Sequence, residues 1–198
     1  TFPTDLNLYV FANAQADDLS ATWPDVYFEN AQFIYGRIDN GVYEGTPARY
    51  WPNVKSLIFA GYSDACNIAD IAKNSTVTFN ADKTSTIEIT GYVQNNATDK
   101  VGANDLMWFP WDTESYTKRT TAVAAQMKHA CSWITVKVLR DSQTTDETWK
   151  LDGLKINGLF HNGDATCGMT AATWEVSGEQ TAETLFSTSG TNLTTSAV

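Results

Sequence analysis

The sequence predicts an all-β protein, an antiparallel β-sandwich, on three observations. The first is alternation. Val123, Ala125, Met127 and His129 fall on one side of an extended chain, and after a step at Ala130–Cys131 the pattern resumes at Ile134, Val136 and Val138. Period two over such a run marks a half-buried strand. The second is composition: Trp 7, Tyr 8 and Phe 9, abundant Thr, and only 18% charged residues, which is what pleated surfaces select. The third is rhythm. The chain reads as roughly nine to eleven short strands with turn signals about every 8–15 residues, and no strand–helix units alternate along it.

The elements follow in order. Leu6–Ala12 is a first strand with Leu6, Leu8 and Val10 on one face. Val26–Tyr35 is one bent strand or two short ones. Asp39-Asn40-Gly41 is a turn, because Asn and Gly accept positive φ. Val42-Tyr43 leads into Ala48–Pro52, a strand that Pro52 ends or places at an edge because it lacks an N–H. Lys55–Tyr62 is the next strand. Asp64–Lys73 spaces Ala, Ile and Asp so that a short helical turn is allowed. Thr76–Asn80 and Thr86–Thr90 alternate cleanly, and Gln94–Gly102 is a polar surface loop. Asn104–Trp111 and Val123–Leu139 are strands joined by the hydrophilic Thr113–Thr120. After a polar loop at Asp141–Glu147, Trp149–Phe160 is strand-like, with bulges or bends expected at Gly153 and Gly158. His161–Asp164 reads as a turn and Ala171–Val176 as a last clear strand. From Gly178 onward Thr, Ser and Gly dominate, a tail, a linker or a weak terminal strand. The expected division is therefore a sandwich over 1–178 and a terminal segment over 179–198.

A chain of 198 residues is one large domain or two small ones. Its net charge of −10 excludes nucleic acid and anionic membrane surfaces as partners, since both need clustered Lys and Arg. Cys66, Cys131 and Cys167 are an odd count, so they do not form a closed disulfide framework, and their spacing is not that of a zinc knuckle. One bridge plus one thiol and three buried thiols both stay open, and small buried hydrophobes are the simpler reading. No apolar stretch approaches the ~20 residues that span a bilayer. The chain opens in Thr1-Phe2-Pro3-Thr4, which reads as a mature protein trimmed of any export signal or lipid anchor.

No catalytic motif stands out. His129 sits among alternating sheet residues and His161 beside a turn, and there is no Gly-x-Ser-x-Gly. Asp105, Asp112 and Glu114 are close in sequence, but nothing apolar around them marks one as the raised-pKa acid of a glycosidase pair. Asp17-Asp18 and Asn162–Asp164 offer oxygens for calcium without matching an EF-hand loop. No metal and no cofactor is expected. The seven Trp residues invite a sugar-stacking reading, and Trp108 and Trp111, flanking Pro110, are the candidates for an exposed aromatic platform. Asn74-Ser-Thr, Asn96-Ala-Thr and Asn192-Leu-Thr match the glycosylation pattern, a short match in a chain rich in Asn and Thr.

Three stretches, in order, resemble the fimbrillin-like proteins of Bacteroidetes. Ala48-Arg-Tyr-Trp-Pro52 leading into Leu57-Ile-Phe-Ala-Gly-Tyr62 is similar to the family's Tyr-Trp-Pro followed by a Phe/Ala/Tyr strand. Asn104-Asp-Leu-Met-Trp108 is similar to its Asp-Leu-Leu-Tyr-Ala, and the run ending in His129-Ala130 to a family strand ending in His-Ala. Val10-Phe11-Ala12 and Gly153-Leu154-Lys155-Ile156 also fit. The resemblance covers roughly residues 6–178. It implies the N-terminal domain of a type V pilus subunit, a transthyretin-like antiparallel β-sandwich with Greek-key connections, which in the family is usually followed by a second sandwich domain. It also implies export to the cell surface or outer membrane as a lipoprotein, proteolytic processing, and polymerisation by donor-strand exchange with other pilus subunits.

The expected function is a structural subunit or adhesin of a bacterial surface pilus, with no enzymatic activity. Strand addition needs an open sheet edge and pockets for alternate side chains. Leu6, Leu8 and Val10 are the residues expected at that edge. The alternative is a surface carbohydrate-binding β-sandwich that uses Trp108 and Trp111 on host or bacterial glycans.

Overall fold

The computed structural model describes residues 7–35, 42–64, 74–94, 106–132, 134, 136–140 and 150–192. These contain twelve strands and no α-helix, so no described helix is long and apolar enough to cross a membrane. The chain divides into two compact units, residues 1–131 with 162–176 and residues 132–161 with 177–198.

The first unit is a two-layer sandwich. One sheet has six strands in the order β3-β2-β1-β4-β7-β8, where β1 is Asn7–Ala14, β2 Asp25–Tyr35, β3 Tyr43–Gly45, β4 Leu57–Asp64, β7 Leu106–Phe109 and β8 Lys128–His129. The other has four in the order β11-β10-β6-β5, with β5 Ser75–Phe79, β6 Ser85–Val93, β10 Asn162–Cys167 and β11 Ala172–Ser177. The pairings β1–β2, β1–β4, β2–β3, β4–β7, β7–β8, β5–β6 and β6–β10 are antiparallel. The core between the layers takes alternate residues of each strand, as period two requires: Phe11, Ala60, Tyr62 and Trp108 from the six-stranded sheet, Ile87, Ile89, Ala165 and Cys167 from the other. Tyr9 stacks on Tyr62 with centroids 5.4 Å apart, and the Tyr62 hydroxyl lies 2.8 Å from Ser75 Oγ. A buried tyrosine thus keeps a polar partner.

The second unit, in its described part, is the antiparallel pair of β9, Lys150–Leu159, and β12, Thr181–Asn192. The bulge expected at Gly158 is present. The register slips between Thr181 and Ala182, and Gly158 there has a φ of 79°.

Several local expectations are corrected. Val123–Leu139 does not form a long strand. Its only described strand residues are Lys128 and His129, paired with Trp108 and Met107. The neighbour β7 is four residues long and stops before Pro110, so the alternation at 123–127 has no ladder to join. Ala48–Pro52 is not a strand either; Pro47 and Pro52 each lack an N–H. The turn expected at His161–Asp164 is the start of β10. Its buried positions are Gly163, Ala165 and Cys167, which are too small to announce a hydrophobic face. Asp64–Lys73 past Asp64, the Gln94–Gly102 loop past Gln94, and Asp141–Glu147 lie outside the described residues, as do Cys66 and Asp105.

Candidate functional site

The six-stranded sheet is apolar on both faces. On β1, Tyr9 and Phe11 face the sandwich core while Leu8, Val10 and Ala12 face away from it. On β4, Ala60 and Tyr62 face in while Phe59 faces out. On β7, Leu106 and Trp108 face in and Phe109 faces out. A sheet patterned this way needs cover on both sides. The inner face has the second sheet. The outer face carries its own cluster of Val10, Ala12, Phe28, Ala31 and Phe109, with Leu8, Phe33, Phe59 and Met127 packed against it.

That outer cluster is covered in part. The segments Val42–Trp51 and Thr121–Met127 form walls around a cavity of 1040 Å³, floored by Leu8, Val10, Phe33, Leu57, Phe59, Ser63 and Phe109. Aromatic rings line much of it. Phe28 lies 6.2 Å from Phe33 and 6.4 Å from Phe59, and Trp51 meets Phe59 edge-on at 5.8 Å. Phe109 can lie across the floor because Gly61 has no side chain; a Cβ there would sit 2.7 Å from the Phe109 ring and 2.3 Å from Tyr9 O. The guanidinium of Arg49 lies over the Phe28 ring, 5.5 Å from its centroid. Tyr50, on the same wall, is 81% exposed, and its carbonyl accepts a hydrogen bond from Tyr27.

Beside this cavity, part of the sheet edge has no described strand paired to it. β2 is eleven residues long, but β3 pairs with it only at Phe33, Ile34 and Tyr35. Along Asp25–Ala31 no described strand lies on the side of β2 away from β1. Tyr27 and Phe28 of this stretch also line the cavity. At its start, Asp25 Oδ2 is 2.8 Å from Lys55 Nζ, which also meets Asp17 at 2.5 Å. The Asp17 carboxylate, and then Asp25, hold the Lys55 ammonium above its ordinary pKa.

The residues singled out from the sequence fare differently. β1 lies between β2 and β4 and is paired on both sides, so Leu8 and Val10 are not at an edge. They sit on the cavity floor instead; Leu6 lies outside the described residues. Trp108 and Trp111 form no exposed platform, being 2% and 1% exposed. Trp108 Nε1 donates to Gly168 O at 2.9 Å inside the sandwich. Trp111 Nε1 donates to Glu114 O at 2.8 Å, and its ring packs edge-on against Trp23 and Phe79. The aromatic side chains that border the cavity, the exposed Tyr27 and Tyr50 and the half-buried Trp51, were not expected to line a site. The signal available was β1 itself, where both alternate sets are apolar.

Two of the candidate carboxylates, Asp112 and Asp18, are engaged locally. Asp112 accepts from the Tyr116 hydroxyl and from Glu114 N. Burial, reinforced by Asp112, pushes the Tyr116 hydroxyl up to about 12. Asp18 Oδ1 accepts from Ser20 N at 2.9 Å, and hydrogen bonds from Ser20 hold its carboxyl below the usual range. Cys131 and Cys167 are free thiols, and burial pushes Cys167 up to about 12. Among the described residues no group of three or more His, Cys, Asp or Glu is placed to hold a metal ion.

No curated protein and no solved structure matches the chain. The family model described as fimbrillin-like matches residues 1–198. With that match across an antiparallel β-sandwich, the chain belongs to the fimbrillin-like family.

Proposed function

We propose that this protein is a structural subunit of a bacterial surface pilus and that it assembles by accepting a strand from a neighbouring subunit along β2. The fimbrillin-like family is one of structural pilus proteins, which supports the role of subunit. The observation that carries the assembly reading is the coincidence of an open edge with an incomplete apolar cover. An incoming strand at Asp25–Ala31 would find main-chain donors and acceptors on one side and the cavity of Phe28, Phe33 and Phe59 beneath alternate side chains. Main-chain bonds then supply affinity and the pockets supply register. The transthyretin-like topology, surface location and proteolytic maturation implied by the family resemblance belong to the same proposal.

The test is to mix the purified chain with a peptide copying the strand a neighbouring subunit donates, and to follow melting. A ligand of the folded state at 100 times its Kd adds about 2.7 kcal/mol of stability. For a chain of this size that raises Tm by roughly 5–10 °C. An unchanged Tm at saturating peptide refutes strand acceptance at this edge.

A further inference from the structure

Two polar groups of the outer-face cavity, the exposed Arg49 on its wall and the buried Ser63 on its floor, have no polar partner among the described residues. No ion pair among the described residues reaches Arg49; its contact is the face of Phe28. Ser63 is 1% exposed and lines the cavity, yet its Oγ has no hydrogen-bond partner. A buried hydroxyl without a partner is costly and rare. The two groups are related by the sheet. Gly45, Phe33, Leu8 and Ser63 form one row across four adjacent strands. The Arg49 stem passes over the Gly45 end, with Cγ 3.2 Å from where a Cβ would stand. At the usual strand spacing Gly45 and Ser63 are about 14 Å apart. Between them the floor is Phe33 and Leu8, both apolar.

We infer that this cavity binds a long-chain carboxylic acid carrying an oxygen partway along its chain. The carboxylate meets Arg49, the acyl chain lies over Leu8 and Phe33, and the chain oxygen meets Ser63 Oγ. The cavity, at 1040 Å³, is at the upper end of the roughly 300–1,000 Å³ range of small-molecule sites, and like them it is apolar with few polar groups. Arg49 is the one charged side chain among its described lining residues. In a chain of net charge −10, a site that prefers an anion must draw that preference from such a local cation.

The inference is read on the monomer, where no incoming strand fills the cavity, so its failure leaves the pilus reading where it stands. The experiment is calorimetric titration of the purified chain with 12-hydroxystearate, stearate and stearyltrimethylammonium, each below its micelle concentration. The expected result is saturable binding of 12-hydroxystearate at one per chain, at least tenfold tighter than stearate, with the cation weakest. Arg49→Gln is expected to weaken both acids tenfold or more. Ser63→Ala is expected to erase the preference for the hydroxy acid and leave stearate unchanged. Ala124 is an exposed wall residue, so Ala124→Trp fills the cavity without disturbing the core and is expected to abolish binding, with circular dichroism confirming the fold. The inference is overturned by the absence of saturable binding, by equal binding of the cation, by no preference for the hydroxy acid, or by binding that survives Ala124→Trp.

Discussion

Ser63 has a cost that does not depend on any ligand. Its hydroxyl was desolvated without compensation, since the residue is buried and Oγ is unpartnered. Removing it relieves about 1 kcal/mol of the usual penalty. Ser63→Ala should therefore raise Tm by about 2–4 °C in thermal melting. Cys167 sets a pH limit. Its folded value of about 12 exceeds the ordinary 9.0, so the folded state holds a proton that the unfolded chain releases. Its contribution is complete below pH 9 and is lost as pH rises toward 12, at no more than about 1.4 kcal/mol per pH unit. Tyr116, raised from 10.0 to about 12, acts with the same sign but only above pH 10. Of these two groups only the thiol contributes between pH 9 and 10, so Cys167→Ala should make urea midpoints fall less steeply in that window. Trp111 distinguishes core from platform. Fully buried with its Nε1 bonded, it should cost about 3–5 kcal/mol on Trp111→Ala. A surface platform residue would cost almost nothing. Its burial was not legible because Pro110 beside it suggested a loop, whereas Trp23 and Phe79, distant in sequence, are what enclose it.

At the scale of elements, β4 shows how close packing fixes the outer face. Gly61 lets β1 and the Phe109 ring approach together, and the nearest obstacle to a Cβ is backbone, Tyr9 O. Gly61→Ala should destabilise by about 1–3 kcal/mol through overpacking, read by denaturant unfolding. Strands whose alternate residues differ sharply in polarity were legible: β5 with Val77 and Phe79, and β6 with Ile87 and Ile89 facing the core. β1, β2, β4, β9 and β11 were also found near their expected limits. β10 was hidden because Gly, Ala and Cys fill its inner face. The overlong strand at 123–139 is the converse error. Periodicity says which faces a segment offers, and only a neighbour of matching length makes it a strand; β7 is too short. The cavity wall at Thr121–Met127 is what that alternating segment became.

At the scale of the molecule, the fold class was legible and the site was not. Alternation and composition determine that sheets stack, but strand order decides which strand is central and which is open. β1 was expected at an edge and lies inside; β2 was read simply as a strand and carries the open stretch. The open stretch and the half-covered face are adjacent, and the pilus reading depends on that adjacency. The most direct measurement is hydrogen exchange by mass spectrometry on the monomer and on assembled fibres. Amides of Asp25–Ala31 should slow at least tenfold on assembly, because a neighbour's strand takes up that edge. Unchanged exchange at Asp25–Ala31, with protection gained only along β5 or β11, would contradict the account.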